Sequence, residues 1–234
     1  MKYIYLDETE STNNYAKEHI TEIEDKVVVY TSKQTCGRGR FDRTWVDLGS
    51  ENIYMSIVLK PAEEMQKNFS NLTQYTALKL AETFEKYGVI PQIKWPNDIL
   101  INNKKISGIL AETVFRKNKL NGIVIGVGIN LNANKEDFIK IDKLATALNI
   151  EIGKDVDKQT FLDDFNYTFF NQYEKFLEQG FSLIKNGYEK HINFIGKEIT
   201  INNLNDKITG IAERITDNGA LIINNREFYT GDIV

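Results

Sequence analysis

A chain of 234 residues with 41% apolar and 26% charged side chains, three prolines and no repeat or low-complexity tract can bury one large core, or a medium one with a small appendage. A formal net charge of −4 excludes a broad cationic face for indiscriminate polynucleotide binding; one cysteine excludes an internal disulfide framework, and two scattered histidines, His19 and His191, exclude a histidine metal cage. The start MKYIYLDETE turns acidic at once and no apolar run of about 18 residues occurs, so no signal peptide or membrane helix is read and a reducing, cytoplasmic location is expected.

Residues 1–6 read as a short strand, followed by caps and helix formers in DETESTNNYAKEHI, with Ser11, Thr12 and Asn13 at the helix start. The apolar run at 27–30 reads as a buried strand that delivers the chain into an Arg/Gly loop. Residues 52–60 alternate as a strand with Ile53, Met55, Ile57 and Leu59 on one face. A helix over 70–87 carries Leu72, Ala77, Leu80, Ala81 and Phe84 on one stripe and ends at Gly88. Then IKW, DILIN, ISGILAETVF and GIVIGVGIN form a β-meander with turns at Asn102-Asn103 and near 118–122. Residues 158–179 read as one long helix whose stripe of Phe161, Phe165, Phe169, Tyr173 and Phe176 is core. From about 196 the pattern becomes short strands with polar turns, a small barrel-like β unit beginning near Ile195. A strand-heavy meander with a few long helices is an α+β pattern.

Three motifs carry chemistry. In QTCGRGRFDRTW the glycines let backbone N–H groups approach a ligand, arginine forks bind phosphate or carboxylate, and Trp45 offers a flat face to a nucleobase, although Gly/Arg pairs also serve in solvated turns. KWPND sets Lys94 at a strand end with Asn97 and Asp98 in a turn, which is also good hairpin chemistry. GVGIN is not a dinucleotide fingerprint, since the third glycine and the following helix are missing; its glycines clear space for something bulky, and Asn130 can donate and accept toward an amide or adenine edge.

Taken in order, STN, QTCGRGRFDRTW, KWPND, KISGILAE and GVGIN, closed by a small β unit, resemble the biotin protein ligases across essentially the whole chain. The resemblance is to their short form, which implies no helix-turn-helix domain and no binding to DNA; no membrane partner is expected either, on the missing apolar run. It implies a class II synthetase-like mixed β-sheet with packed helices over 1–194 and an SH3-like barrel over 195–234. Ser11, Thr12, Asn13 and Gln34 match the positions that hold the biotin head. Gly37, Arg38, Gly39 and Arg40 match the loop over biotin and phosphate, and Lys94 matches the lysine near the reacting carboxylate, so that Arg38, Arg40 and Lys94 become the catalytic set. Arg40, Arg43, Trp45, Asn97 and Asn130 match the ATP and adenylate positions. ATP with Mg²⁺ on its phosphates, near Asp98, is the implied cofactor set, a biotin carboxyl carrier domain the implied partner, and a homodimer the implied assembly. The chain departs from the family at position 42, where aspartate stands for the glycine of many members, and ends at GDIV without the extra tail often seen.

The implied reaction activates the biotin carboxylate on the α-phosphate of ATP, then passes the acyl group to a lysine amine. Two negative charges about 4 Å apart repel by roughly 1 kcal/mol in water and about 4 kcal/mol at an effective dielectric near 20, so cations must be built in. For the base that deprotonates the acceptor lysine, solvent, Asp98 and the leaving phosphate all stand open. Two rivals share parts of the pattern: a lipoate or octanoate attachment enzyme, and a non-catalytic nucleotide or RNA-binding module. The tryptophan-bearing loop and KWPND point away from the first, the acidic balance away from the second.

Overall fold

Period-two alternation builds most of the frame in the computed structural model, which describes residues 2–62, 68–141, 144–203 and 206–234. Met1, expected in the opening strand, lies outside the described residues. Strands β1 (Lys2–Thr9), β2 (Val27–Gln34), β3 (Ile53–Leu59), β4 (Pro91–Lys94), β5 (Asp98–Ile101), β6 (Lys104–Arg116) and β7 (Lys119–Ile129) form one mixed sheet in the order β1-β2-β3-β7-β6-β5-β4. β1 and β2 are parallel, which demands a crossover, and helix α1 (Thr12–Glu18) supplies it. The other neighbours are antiparallel. The turns Asn102-Asn103 and Lys117-Asn118 have both residues left-handed, as a two-residue hairpin requires. The second turn therefore lies earlier than the expected 118–122, because the β6/β7 ladder already pairs Arg116 with Lys119.

Alternation divides the sheet into two faces with different tasks. Ile53, Met55, Ile57 and Leu59 of β3, with Ile123, Ile125, Val127 and Ile129 of β7, point into the main core. Over that face pack α2 (Leu72–Glu85), α4 (Lys158–Asn171), α5 (Tyr173–Gln179) and α6 (Phe181–Lys190). The opposite face carries Val58 and Val124 under α1 and then, further along the same strands, Ser56, Gly126 and Gly128. That second stretch is where the site forms. A short α3 (Leu148–Ile152) follows β7 after a 3-10 segment, Lys135–Lys140.

The helix expected over 158–179 is broken at Gln172, whose φ of −120° and ψ of 3° leave the helical region. Steps of four residues overshoot a turn by about 40° each, so an unbroken helix would carry the stripe off the core after three steps. The break resets it. Phe161, Phe165, Phe169, Tyr173 and Phe176 are all buried, each contributing roughly 1.5–3 kcal/mol of burial.

The C-terminal strands β8 (Glu198–Asn202), β9 (Lys207–Ile215), β10 (Leu221–Ile223), β11 (Arg226–Phe228) and β12 (Asp232–Ile233) form an antiparallel sheet ordered β11-β10-β9-β8-β12. It is SH3-like in pattern but open, where a barrel was expected: β12 has two residues, pairs with β8, and leaves β11 and β12 as separate edges. Ile201, Leu221 and Ile223 join the same apolar cluster as Phe84 and Phe181, so the small sheet shares the main core.

Candidate active site

A cavity of about 490 Å³ opens on the α1 face of the large sheet. At one end Ser11 caps α1, and Ser11, Thr12, Asn13 and Gln34 line the wall together. Gln34 is the last residue of β2, and its Oε1 accepts from Thr12 N at 3.0 Å. Asn13 is buried and fixed on both sides of its amide. Ser56 Oγ donates to Oδ1 at 2.6 Å, while Nδ2 donates to Leu110 O at 3.1 Å and to Glu112 Oε2 at 2.9 Å. Gly126 makes this possible: a Cβ there would stand 2.4 Å from Asn13 Oδ1. Glu112 also takes Lys17 Nζ at 2.7 Å and Arg38 Nη1 at 3.0 Å. Burial pushes its carboxyl up, but the hydrogen bonds from Lys17 and Asn13 and the charges of Lys17 and Arg38 outweigh burial and hold it below the usual carboxylate range.

The Arg/Gly loop is a small hairpin. Trp45 N donates to Gly37 O at 2.9 Å and Gly39 N to Arg43 O at 2.7 Å, with Phe41 and Asp42 at the tip, both left-handed at φ 54° and 56°. Aspartate at 42 thus takes the conformation a glycine would. Gly37 does not line the cavity; a Cβ there would meet Trp45 O at 2.3 Å, so its smallness closes the base of the hairpin. Folded this way, the loop lays the Trp45 indole over Gly108 and Gly128, a directly paired couple of β6 and β7. Cβ atoms on these two would stand 2.9 Å and 2.3 Å from the ring. The bulk expected above GVGIN is therefore the chain's own Asn13 and Trp45. Trp45 Nε1 is buried without a hydrogen-bond partner among the described residues, and Lys105 Nζ lies 5.4 Å from the ring centroid.

Arg40 Nη1 donates to Asn97 Oδ1 at 2.9 Å, Gly231 O at 3.0 Å and Asp232 Oδ1 at 3.1 Å, and Nη2 donates to Thr230 Oγ1 at 2.8 Å. Arg43 pairs with the other oxygen of Asp232. Burial pulls the Arg40 guanidinium below its ordinary range, and Asp232 and Asp98 oppose that. Both arginines also pack on Phe41, at 4.8 and 5.9 Å from its ring centroid. Asn130 lines the far wall with its amide fixed by donation to Thr146 O at 3.0 Å.

Lys94 does not line the cavity, whereas Asn97 and Asp98 do. It sits on β4, the edge strand, three places from β7. The lysine that reaches the cavity is Lys105, at the start of β6, paired with Asp98 Oδ1 at 2.7 Å. Trp95 of the same motif is core, with its indole N–H 3.4 Å from Gly219 O.

Residues 5–130 match the Biotin/lipoate A/B protein ligase family, and residues 194–234 the Biotin protein ligase C terminal domain. The chain belongs to the biotin/lipoate A/B protein ligase family. The bifunctional ligase/repressor BirA of Bacillus spizizenii is 33% identical over 237 residues, covering 98% of this chain and 73% of that protein. A biotin–[acetyl-CoA-carboxylase] ligase of Paracoccus denitrificans is 31% identical over 93% of this chain and 92% of its own length. The solved biotin protein ligase from Aquifex aeolicus in complex with biotin and ATP has a TM-score of 0.83 at 28% identity, covering 100% of this chain and 97% of that one.

Among the residues of the ligase cavity or its supports to which the motif reading assigned no role are Ser56, Lys105, Glu112 and Asp232. Lys105 and Glu112 are the first and last residues of KISGILAE, so the signal for both was present; alternation from Gly108 through Leu110 sets Glu112 on the cavity face. Ser56 is hidden in an apolar strand, and Asp232 has no local signal.

Proposed function

We propose that this ligase attaches biotin to a lysine of a biotin carboxyl carrier domain, using ATP and passing through biotinyl-5′-AMP. The observation that carries the reading is one cavity that joins hydroxyl and amide groups of Ser11, Thr12, Asn13 and Gln34 to an indole platform at Trp45, with Arg38, Arg40 and Arg43 in the same lining. A ureido ring offers N–H donors and a carbonyl acceptor, which that polar end can match; a dithiolane ring offers neither.

In the proposed roles, the polar end orients biotin, Trp45 stacks on adenine, and Asn130 reads its edge. A carboxylate oxygen of biotin attacks the α-phosphorus, the bond to the leaving pyrophosphate breaks, and Arg38, Arg40, Arg43 and Lys105 stabilise the added charge. In this proposal Lys105 takes the role that the family resemblance implies for Lys94, because Lys105 lines the cavity and Lys94 does not. In the second step the carrier amine attacks the acyl carbon and AMP leaves with the bonding electron pair. Mg²⁺ belongs to this proposal as the ion carried on the nucleotide, with Asp98 the nearest sequence candidate to face it. Among the described residues no three His, Cys, Asp or Glu gather to hold a metal. The proposal further divides the chain at 194/195, makes it a homodimer on the strength of the family likeness, and keeps it in the cytoplasm; no described helix is long and apolar enough to cross a membrane.

The test is ATP–pyrophosphate exchange. Exchange that depends on biotin and not on lipoate supports the reading; exchange with lipoate, or with neither acid, overturns it.

A further inference from the structure

The residue that joins the C-terminal sheet to the cavity is Asp232. Its two carboxylate oxygens hold one arginine each, Arg40 on Oδ1 and Arg43 on Oδ2, and the residue is 8% exposed. The two arginines are anchored unequally. Arg40 keeps Asn97 Oδ1, Gly231 O and Thr230 Oγ1 without Asp232, whereas Asp232 is the acceptor given to the Arg43 guanidinium among the described residues. A carboxylate bridging two guanidinium groups has the charge and the oxygen spacing of one edge of a phosphate. The nearby charges are Arg40, Arg43 and Lys105 against Asp98 and Asp232, a single positive excess that cannot match a triphosphate while both acids stay in place.

We propose that Asp232 is a displaceable counter-ion: the C-terminal sheet holds Arg40 and Arg43 through it, and the phosphates of the nucleotide take its place. The inference rests on the reading that these arginines meet ATP. Arg40 stays on its remaining acceptors and keeps its place, while Arg43, with its side chain 46% exposed, turns to the phosphates. The β12 edge, Asp232–Ile233, is the element that gives way while Thr230 and Gly231 stay on Arg40, so nucleotide binding loosens only the last residues of the C-terminal sheet.

Biotin-dependent exchange measured on the full chain separates this from a fixed strut that merely orients the arginines. As a competitor, Asp232→Asn lowers the KM for ATP by roughly tenfold and leaves the KM for biotin within about twofold, and Asp232→Glu restores a KM near the native one. Thr230→Val, which frees Arg40 Nη2 without changing charge, stays within about twofold on both. A KM for ATP that rises or stands still in Asp232→Asn overturns the proposal, as does a tenfold change in Thr230→Val. The native chain supplies a second test that needs no variant to fold: hydrogen exchange at residues 232–234 rises when ATP is added, and exchange that slows or stays level overturns the displacement. A native chain with no biotin-dependent exchange removes the functional reading beneath it, and the proposal with it.

Discussion

Alanine at Gly128 is allowed by the backbone and opposed by what lies above it. The Cβ would stand 2.3 Å from Trp45 Cε2 and 2.6 Å from Nε1, so the indole must lift by about 1 Å to reach ordinary contact near 3.5 Å. Trp45 rides on a largely exposed hairpin and can move, which puts the stability cost at the low end of the ~1–3 kcal/mol typical of overpacking. The nucleobase platform moves with it. Base–aromatic stacking of about 1–3 kcal/mol predicts a KM for ATP raised roughly 5- to 150-fold. Gly126→Ala is the matched perturbation at the other end: its Cβ would stand 2.4 Å from Asn13 Oδ1, in a side chain that is 3% exposed and held by hydrogen bonds of 2.6, 2.9 and 3.1 Å. Asn13 cannot yield without losing bonds of about 1 kcal/mol each, so this variant loses about 2–3 kcal/mol of stability and weakens biotin roughly 30- to 150-fold. Exchange kinetics with each substrate varied, beside thermal melts, read both. A Gly128→Ala enzyme whose KM for biotin rises as much as that for ATP would refute the two-ended assignment.

Lys105→Ala lowers the exchange rate by about 10²-fold while Lys94→Ala stays within about twofold; equal losses would return Lys94 to the site. Glu112 has a folded pKa below its unfolded one, so the stabilisation it gives is present above about pH 4.3 and lost as pH falls through the folded value. Glu112→Gln therefore costs about 1–3 kcal/mol at neutral pH, in denaturation midpoints, and the gap to native closes in acid; a gap constant with pH would contradict this. Arg40→Gly gives up the contacts to Asn97, Thr230 and Asp232, and it should release biotinyl-AMP into solution while biotin affinity by calorimetry stays within about threefold; a pure biotin defect would count against it.

The meander was legible because its strands are apolar, alternate, and are joined by asparagine-bearing turns, Asn102-Asn103 and Lys117-Asn118, whose left-handed residues have few other uses. Helix α6 was not, since Asn186-Gly187 inside it reads as a turn. Tertiary packing overrides that signal, because Gly187 is where α2 comes close: a Cβ there would lie 3.1 Å from Leu78 Cδ2. In the site, Ser11, Asn13, Gln34 and Trp45 could be read from local motifs. That Lys105 and not Lys94 lines the cavity could not be read locally, since both neighbour strand ends; the β5/β6 hairpin brings Lys105 to Asp98. Asp232 meets Arg43 across 189 positions of sequence, a contact that no periodicity or motif encodes.

That missing half changes the electrostatic argument. Read from sequence, the loop is a cluster of unpaired cations waiting for phosphate, and such a cluster would resist folding: unit charges about 4 Å apart repel by roughly 4 kcal/mol at an effective dielectric near 20. In the structure each named cation has an acid, Arg38 with Glu112, Arg40 and Arg43 with Asp232, Lys105 with Asp98. The ion pairs offset part of the entropy of ordering the loop and the left-handed strain at Phe41 before any ligand arrives. On the proposed reading, nucleotide binding exchanges the Asp232 carboxylate for phosphate oxygens on a preformed frame. Affinity is the difference between two similar terms, and the discrimination passes to the groups that do not exchange: the Asn13 amide at one end and the indole on its two glycines at the other.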